Sequence, residues 1–361
     1  MNDHADPDRP SAYDAVLLVS FGGPDGPDDV LPFLENVLRG RNVPRERMLE
    51  VAEHYRHFGG KSPINEQNRA LLAALRAELD RRGPHLPIYW GNRNWHPLLP
   101  DTLREMADAG VKRALAFVTS GFSCYSGCRQ YRENVAAARE AVGPRAPEVD
   151  KIRVFFNHPG FVGPMAANLR RALESFRDAA RPVPVLFTAH SIPMSMSDTS
   201  RYVPQLEESC RLVAEQAGAA DWRLVYQSRS GPPSQPWLEP DVCDVVRQLH
   251  AEGVRHLVIA PIGFISDHME VLYDLDTEAA DLCRELGIEM HRAATVGTAP
   301  EFVAMVRDLI AERAWALPDR VAIGSLPASH DVCPLDCCPA PQRPPASAGG
   351  RPAAGGRPGQ P

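Results

Sequence analysis

The sequence has no long hydrophobic run and no excess of basic residues. No stretch approaches the roughly 18 consecutive apolar residues of a membrane-spanning helix, so membrane insertion is not expected. Lys and Arg number 39 against 46 Asp and Glu, and the net charge of −7 disfavours nucleic acid as a partner. The N-terminal stretch MNDHADPDRPSAYD resembles neither a signal nor a transit peptide, which predicts a cytoplasmic protein.

Glycine motifs that bind phosphate groups are also missing. The glycines of SFGGP at 20–24 do not form a GxGxxG pattern and no P-loop is present, so a nucleotide cofactor is not supported. The eight cysteines of a cytoplasmic chain are not expected to form structural disulfides.

Short apolar runs alternate with longer amphipathic segments along the 361 residues. The predicted strands are 15–20, 87–91, 114–120, 152–157, 183–189, 223–228, 256–262 and 289–296. The predicted helices between them are 29–39, 65–82, 99–109, 129–142, 161–180, 203–217, 240–252, 270–286 and 300–316. Continuously apolar strands that alternate with helices predict an α/β fold, in which parallel sheets are covered on both faces.

This pattern predicts two similar Rossmann-like domains, each a parallel sheet with helices on both faces. A cysteine segment and a tail follow the two domains along the chain. More than half of the residues of the tail are Pro or Gly, and a segment of this composition cannot bury a core. The four expected parts are 13–160, 161–325, 326–338 and the disordered tail 339–361.

The segment GFISDHMEVLYD and the residues after it carry three acids at intervals of four, Glu270, Asp274 and Glu278. That spacing places them along one face of a helix, where like charges repel by a few tenths of a kcal/mol per pair. No Lys or Arg lies between them. A helix N-terminus favours an acid at 270 but no longer helps one or two turns further on. A solvated acidic face is the alternative to a functional row at 274 and 278.

His190 ends an apolar strand within FTAHSIP at 187–193. Imidazole titrates near neutral pH and binds borderline metals, although a hydrogen-bonded core histidine is an equally open interpretation. Ligands of open parallel sheets bind beyond the carboxyl ends of the strands. His190 and the loops after the other strands are therefore expected to line one cleft.

Two segments, FTAHSIP and PIGFISDHMEVLYDLDTE at 261–278, resemble the signature segments of ferrochelatases. Further similar segments occur in the same order, so that the resemblance covers about residues 13–325: LLVSFGGP, FGGKSPIN, YWGNRNWHP and PWLEPD. The resemblance implies the chelatase fold and a lyase of haem biosynthesis that inserts Fe²⁺ into a porphyrin and releases two protons. The implied partners are a porphyrin and ferrous iron, with transfer to other haem-pathway enzymes as a further expectation.

The same resemblance implies roles for individual residues. His190 and Glu270 are the expected catalytic pair and metal ligands, with His190 as proton acceptor. Asp274 and Glu278 are expected to pass protons outward or iron inward, and a helix irregularity is expected there. The expected porphyrin-binding residues are Phe21, Arg39, Arg41, Ser62, Phe122, Tyr125 and Trp237. A core position is the alternative for each aromatic residue, and a solvated helix end for the two arginines.

One departure from the family pattern bears on the product, and one charged segment bears on the substrate. Several bacterial relatives have a Tyr at the position of Phe21 that ligates the iron of the product; Phe cannot, so product release or the proximal face is expected to differ. The segment RGRNVPRERMLEV at 39–51 is charged, whereas membrane-docking relatives are apolar there. This charge favours the tetracarboxylate coproporphyrin III over the dicarboxylate protoporphyrin IX.

Cys333, Cys337 and Cys338 lie within six residues of one another, which suggests a bound metal. A [2Fe–2S] cluster usually takes four cysteines, and zinc accepts the same ligands. The resemblance favours a [2Fe–2S] cluster with Cys128 as the fourth ligand, and Cys124 is the alternative.

Three other functions are compatible with parts of this pattern. One is a cobalt or nickel chelatase of the same fold, and another is a tetrapyrrole-binding carrier without turnover. A carrier needs no proton acceptor in its pocket, so the pairing of His190 with Glu270 disfavours it. The third, an iron–sulfur electron carrier, would not need so large an α/β scaffold.

Overall fold

The structure, a computed structural model, describes residues 9–40, 43–232 and 234–341, and two parallel four-stranded sheets form its centre. The first sheet has the order β2-β1-β3-β4, with β1 Ala15–Ser20, β2 Ile88–Asn92, β3 Arg113–Val118 and β4 Glu148–Lys151. The second has the order β6-β5-β7-β8, with β5 Val185–His190, β6 Trp222–Gln227, β7 His256–Ala260 and β8 Glu289–Arg292. The equivalent order confirms the predicted α/β fold of two similar Rossmann-like halves.

Helices flank both sheets. Up to the end of the first sheet they are α1 Val30–Val37, α2 Arg45–His57, α3 Ile64–Arg82, α4 Leu99–Asp108 and α5 Gln130–Val142. The remaining α-helices of the described chain are α6 Pro159–Glu174, α7 Met194–Ser197, α8 Tyr202–Ala217, α9 Val242–Ala251, α10 Met269–Tyr273, α11 Ala280–Glu285 and α12 Pro300–Ala314. Two π-helical turns, Tyr125–Arg129 and Asp274–Ala279, lead into α5 and α11. No helix in these described ranges is both long and apolar enough to span a bilayer.

The fourth predicted strand was placed wrongly. The prediction of 152–157 followed its apolar run, but β4 is the more polar Glu148–Lys151. Ile152, Val154 and Phe155 are buried in the core that joins the two sheets without strand pairing. Buried residues are apolar in any backbone conformation. The apolar run 152–157 therefore indicated a segment of the core and did not by itself indicate a strand.

The prediction also missed helix α2. Met48, Ala52 and Tyr55 are buried along one face at helical spacing and pack against Val30 and Phe33 of α1. Outside that stripe the apolar residues of α2 are Leu49 and Val51, which break the helical period, and the charged residues around them hid it further.

One apolar core extends over both sheets. It includes Leu18 and Phe117 of the first sheet and Phe187 and Val258 of the second. Helix α12, late in the chain, returns to pack against α3 and α6. The expected domain boundary near residue 160 stays a prediction. Arg41 and tail residues 342–361 lie outside the described residues.

A buried ion pair fixes α12 to the connection between the sheets. Arg153 donates to Glu312 through Nε at 2.8 Å and Nη2 at 2.9 Å, and neither side chain is more than 5% exposed. Arg153 Nη2 also donates to the Val321 carbonyl at 2.9 Å. Two parallel charge-assisted bonds give this contact a defined geometry.

We predict that Arg153→Met destabilises the protein by about 3 kcal/mol, because the Glu312 carboxylate is then buried without its main partner. The double variant Arg153→Met, Glu312→Leu should regain most of that loss, since no charge remains buried. Urea unfolding followed by circular dichroism measures both. An unchanged midpoint in the single variant would show that solvent compensates this charge.

Candidate active site

The site lies at the carboxyl ends of the second sheet. His190 is the last residue of β5, and the loop after the neighbouring strand β7 leads to Glu270 in the first turn of α10. Because β5 and β7 are adjacent and parallel, both side chains arrive at the same edge. His190 Nε2 lies 3.5 Å from Glu270 Oε1.

Backbone contacts orient the imidazole of His190. Its Nδ1 is in close contact with the Ser191 carbonyl, which leaves Nε2 facing Glu270. The carbonyl of His190 accepts a hydrogen bond of 3.1 Å from the hydroxyl of Tyr202, at the start of α8. A donor at Nδ1 fixes the tautomer that presents Nε2 to a metal or a proton.

The two groups shift each other's titration in opposite directions. Burial alone would lower the pKa of His190, but the Glu270 carboxylate outweighs it and raises that pKa to about 9. Burial would raise the pKa of Glu270, but His190 and then His268 lower it to about 2. At neutral pH the pair is an imidazolium and a carboxylate, with 31% and 47% of the two side chains still accessible.

His268 supports the carboxylate from the other side. Its Nε2 lies 3.9 Å from Glu270 Oε2, and its Nδ1 accepts from the Val271 amide at 3.4 Å as the N-cap of α10. Burial lowers the pKa of His268, which favours the neutral ring that a cap acceptor requires. Glu270 is therefore held between two imidazoles.

The helix that carries the acids is underwound, and its sequence explains why. Val271, Leu275, Ala279 and Cys283 are buried at intervals of four. In a straight α-helix four residues turn by about 40° beyond one full turn, so this stripe would rotate away from the core. The π-helical turn Asp274–Ala279 contains more residues per turn and keeps the stripe buried. Each of the three acids precedes a residue of this stripe by one position, so the same π-helical turn also keeps the acids aligned with one another.

Asp274, the middle acid, titrates near neutral pH. Burial raises its pKa to about 7, with further contributions from Glu270 and Glu278, although a hydrogen bond from Ser228 acts against this. Ser228 adopts a left-handed backbone with φ of 62°, an unfavourable conformation that brings its hydroxyl to Asp274. Gln227 Nε2 donates to Asp274 at 3.4 Å and to the Glu270 carbonyl at 3.0 Å.

Glu278, the outer acid, is exposed. Its pKa is raised by partial burial and by Asp241 and lowered by Arg47 of α2. The row Glu270, Asp274 and Glu278 thus runs from the His190 pair to the surface, along one helix face with spacing of a single turn.

The expected porphyrin residues separate into different environments. Phe21, after β1, is 36% exposed and meets Phe33 edge-to-face with ring centroids 6.2 Å apart. Trp237 is half-buried beside the His190 loop, where it pairs with Pro193. Gly231 is required under Trp237, because a Cβ there would lie 2.2 Å from the indole nitrogen. Tyr125 is half-buried and donates to Glu133 at 2.9 Å.

Phe122 does not line the cleft. Only 2% exposed, it packs edge-on against Phe161 and Tyr202 in the core, so the ring has no surface for a ligand. Ser62 is also buried, with its hydroxyl near the Ile64 amide, while Arg39 is exposed at the end of α1. The sequence analysis did not single out Tyr202, Ser228 or Arg93, whose guanidinium lies over the Phe21 ring at 5.6 Å from its centroid. The loops after β2 and β6, which carry Arg93 and Ser228, were nevertheless expected at the cleft.

The cysteines from distant parts of the chain converge. Cys128 is buried in the first π-helical turn, and its contact with Cys333 is the main cause that raises the pKa of Cys333 to about 12. Cys337 Sγ lies 3.6 Å from Cys338 Sγ and 3.8 Å from His330 Nε2. All eight cysteines are free thiols.

Cys124, the alternative fourth ligand, makes different contacts from those of Cys128. Its sulfur accepts from the Gly127 amide at 3.2 Å and caps the first π-helical turn. His330, which the sequence analysis did not consider, can share a metal ion with Cys333 and Cys337, since their ligand atoms lie within 4.8 Å of one another. Arg129 Nη1 donates to the Leu335 carbonyl at 3.0 Å and holds this segment on the first half.

The sequence model of ferrochelatases matches residues 13–314. The chain belongs to the ferrochelatase family. It is 64% identical to the ferrochelatase of Rhodopirellula baltica over 94% of this chain and 97% of that one. It is 53% identical to the coproporphyrin III ferrochelatase of Streptomyces griseus, with the same two shares covered. This ferrochelatase is thus an iron-inserting porphyrin chelatase, a lyase of haem biosynthesis.

A solved structure shares the fold at low sequence identity. SirB from Bacillus subtilis with Fe³⁺ superposes with a TM-score of 0.52 at 10% identity, over 83% of this chain and 95% of that one. The likeness concerns the fold, namely paired parallel sheets with flanking helices.

We predict that Glu270→Gln lowers the pKa of His190 from about 9 to below about 7. The carboxylate that favours the imidazolium is lost, and burial then favours the neutral ring. NMR titration of ¹³C-labelled histidine, with His190→Ala to assign the resonance, measures the shift. A value that stays near 9 would show that another group holds the proton.

Proposed function

We propose that this ferrochelatase inserts Fe²⁺ into coproporphyrin III at the cleft that contains His190 and Glu270. The observation that carries the proposal is the coupled pair itself, 3.5 Å apart at the end of a row of acids. Metal insertion must remove two pyrrole protons and supply ligands that later give up the metal. An imidazole and a carboxylate at this separation perform both tasks.

The protonation states suggest an order of events. In the resting enzyme the pair holds one proton on His190, because its pKa is about 9 while that of Glu270 is about 2. An arriving ferrous ion displaces this proton, since a metal ligand must be deprotonated. The neutral Nε2 of His190 then accepts a pyrrole proton as iron passes to the ring nitrogens. The Glu270 carboxylate accepts the second pyrrole proton and passes it to Asp274. This proton and the one displaced from His190 both leave through the row of acids to solvent, which makes two protons for each Fe²⁺ that enters.

Asp274 and Glu278 would connect the pair with solvent. A carboxyl group with a pKa of about 7 is present in both forms at neutral pH, so Asp274 can accept a proton and release it with little cost. The ionised forms can equally contact a hydrated divalent cation. The same row therefore serves protons moving outward and iron moving inward.

The choice of coproporphyrin III rests on charge at the rim. Arg39 is exposed at the end of α1, and Arg45 and Arg47 lie beside the exposed Leu49 on the outer surface of α2. A substrate with four carboxylates can form more charge-assisted hydrogen bonds with these cations than a dicarboxylate can. Relatives named coproporphyrin III ferrochelatases, such as that of Streptomyces griseus, support this choice. We place the reaction in the cytoplasm, which suits eight unpaired thiols.

Anaerobic incubation with Fe²⁺ and either porphyrin, followed by the Soret band, tests the function. Coproporphyrin III should be metallated at least tenfold more efficiently than protoporphyrin IX. His190→Ala should lose insertion while fluorescence quenching still reports porphyrin binding. Insertion by His190→Ala at the wild-type rate would remove His190 from the chemistry, and a preference for protoporphyrin IX would overturn the proposed substrate.

We further propose that Cys128, Cys333, Cys337 and Cys338 hold a [2Fe–2S] cluster. The donor set fits: Cys128 and Cys338 are buried, and each contacts one of the two other thiols. Cys338 adopts a left-handed backbone with φ of 51°, an unfavourable conformation whose cost a ligand bond would offset. When bound, such a cluster supplies one-electron redox chemistry and joins the end of the chain to the first half.

We predict that the purified protein is reddish and that Cys338→Ser loses the visible absorbance. Cys243→Ser, at a half-buried thiol outside this group, is the matched control and should retain the colour. Iron and sulfide analysis distinguishes the cluster from zinc. A colourless protein that contains one zinc ion would show that the same thiols form a structural zinc site.

A further inference from the structure

Helix α2 of the first half lies over the helix that carries the acids. His54 of α2 stacks on Tyr273 of α10, with ring centroids 3.5 Å apart and planes 8° apart. Met269, in the first turn of α10, packs into the cluster of Met48 and Tyr55 on the buried face of α2. The two halves are therefore in contact directly beside Asp274.

The position of His54 identifies the residue of α2 that faces the outer acid. Arg47 precedes His54 by seven residues, or two helical turns, and lies on the same face. Glu278 follows Tyr273 by five residues, or one π-helical turn. The positive charge of Arg47 acts to lower the pKa of Glu278, of Tyr273 and of His54, which agrees with this placement.

Arg47 is not committed to a buried structural role. Its side chain is 55% exposed, and its single close ionic partner among the described residues is Glu50, at 2.8 Å on the same helix. The cation thus stands at the solvent end of the acid row with most of its donors free.

We propose that Arg47 is an electrostatic gate at the outer end of the acid row. This inference rests on the proposed path for iron through Asp274 and Glu278. A row of carboxylates without a nearby cation would hold a divalent ion tightly at its entrance. The guanidinium weakens this outer binding, so that an arriving ion is released inward to the His190 pair. Passage through successive sites requires each to bind weakly enough to let go.

The test measures metal affinity and turnover separately. Mn²⁺ is the probe, because it prefers carboxylates to thiolates and its free concentration is read directly by electron paramagnetic resonance. In porphyrin-free protein at low ionic strength, Arg47→Gln should bind Mn²⁺ about three- to tenfold more tightly than the wild type. In the insertion assay the same variant should show a lower KM for Fe²⁺ together with a lower kcat.

Two further variants make the result specific. Arg45→Gln removes an equal charge from the same helix but from a different face, and should leave Mn²⁺ affinity within about twofold. In the Glu278→Gln background the effect of Arg47→Gln should disappear. If the tighter Mn²⁺ binding persists in that background, the ion is bound by Glu50, which Arg47 no longer pairs with, and the proposed gate is overturned.

The outcomes separate the gate from the path on which it rests. If Glu278→Gln alone weakens Mn²⁺ binding but Arg47→Gln equals the wild type, the path stands and the gate is overturned. If Glu278→Gln changes neither Mn²⁺ affinity nor the KM for Fe²⁺, the path itself is overturned and the gate with it. Porphyrin binding, followed by fluorescence, verifies that each variant is folded.

Discussion

The ion pair of His190 and Glu270 is the interaction on which the site depends. It requires two adjacent parallel strands to end together, a Ser191 carbonyl that fixes the imidazole, and a second imidazole, His268, behind the carboxylate. The pair places a proton, an imidazole and a carboxylate together where both side chains remain accessible to solvent. The pair also stabilises the fold over a defined pH range. The contribution of Glu270 is complete above pH 4.5 and is lost as the pH falls towards its pKa of about 2. The contribution of His190 is complete below pH 6.5 and is lost as the pH rises towards its pKa of about 9.

A row of acids is costly unless something offsets the mutual repulsion, and each acid here is offset differently. Glu270 is compensated by imidazoles, Asp274 by partial protonation and the hydroxyl of Ser228, and Glu278 by solvent and by Arg47. The underwound turn that aligns them arises from packing, because Val271, Leu275 and Ala279 stay in the core only if the helix widens. The same intervals of four thus determine both the buried stripe and the row of acids.

The fold and the positions of His190 and Glu270 beyond neighbouring strands could be predicted because their signals are local. Apolar runs located seven of eight strands, and FTAHSIP with GFISDHMEVLYD located His190 and Glu270 at strand ends. The failures have a common cause, which is that burial and exposure depend on partners distant in the sequence. Phe122 was expected at the cleft, but its loop turns the ring into the core. The segment 152–157 was predicted as a strand because it is apolar, and it is apolar because the two sheets meet there. Helix α2 was missed because charged residues cover its exposed face. The meeting of Cys128 with Cys333 came from family resemblance, since no spacing rule connects residues so far apart.

The continuous core also limits how the cleft can open. In two-lobed proteins with separate cores, the lobes can rotate about a hinge. Here one apolar cluster contains strands of both sheets, and α12 packs against α3 and α6. The buried contact of Arg153 with Glu312 fixes α12, and Arg129 fixes the cysteine segment. Rotation of whole halves would break these contacts together. Helix α2 is held mainly by a narrow apolar stripe and the stacking of His54 on Tyr273. The relative position of the two halves is therefore fixed by packing that is common to both.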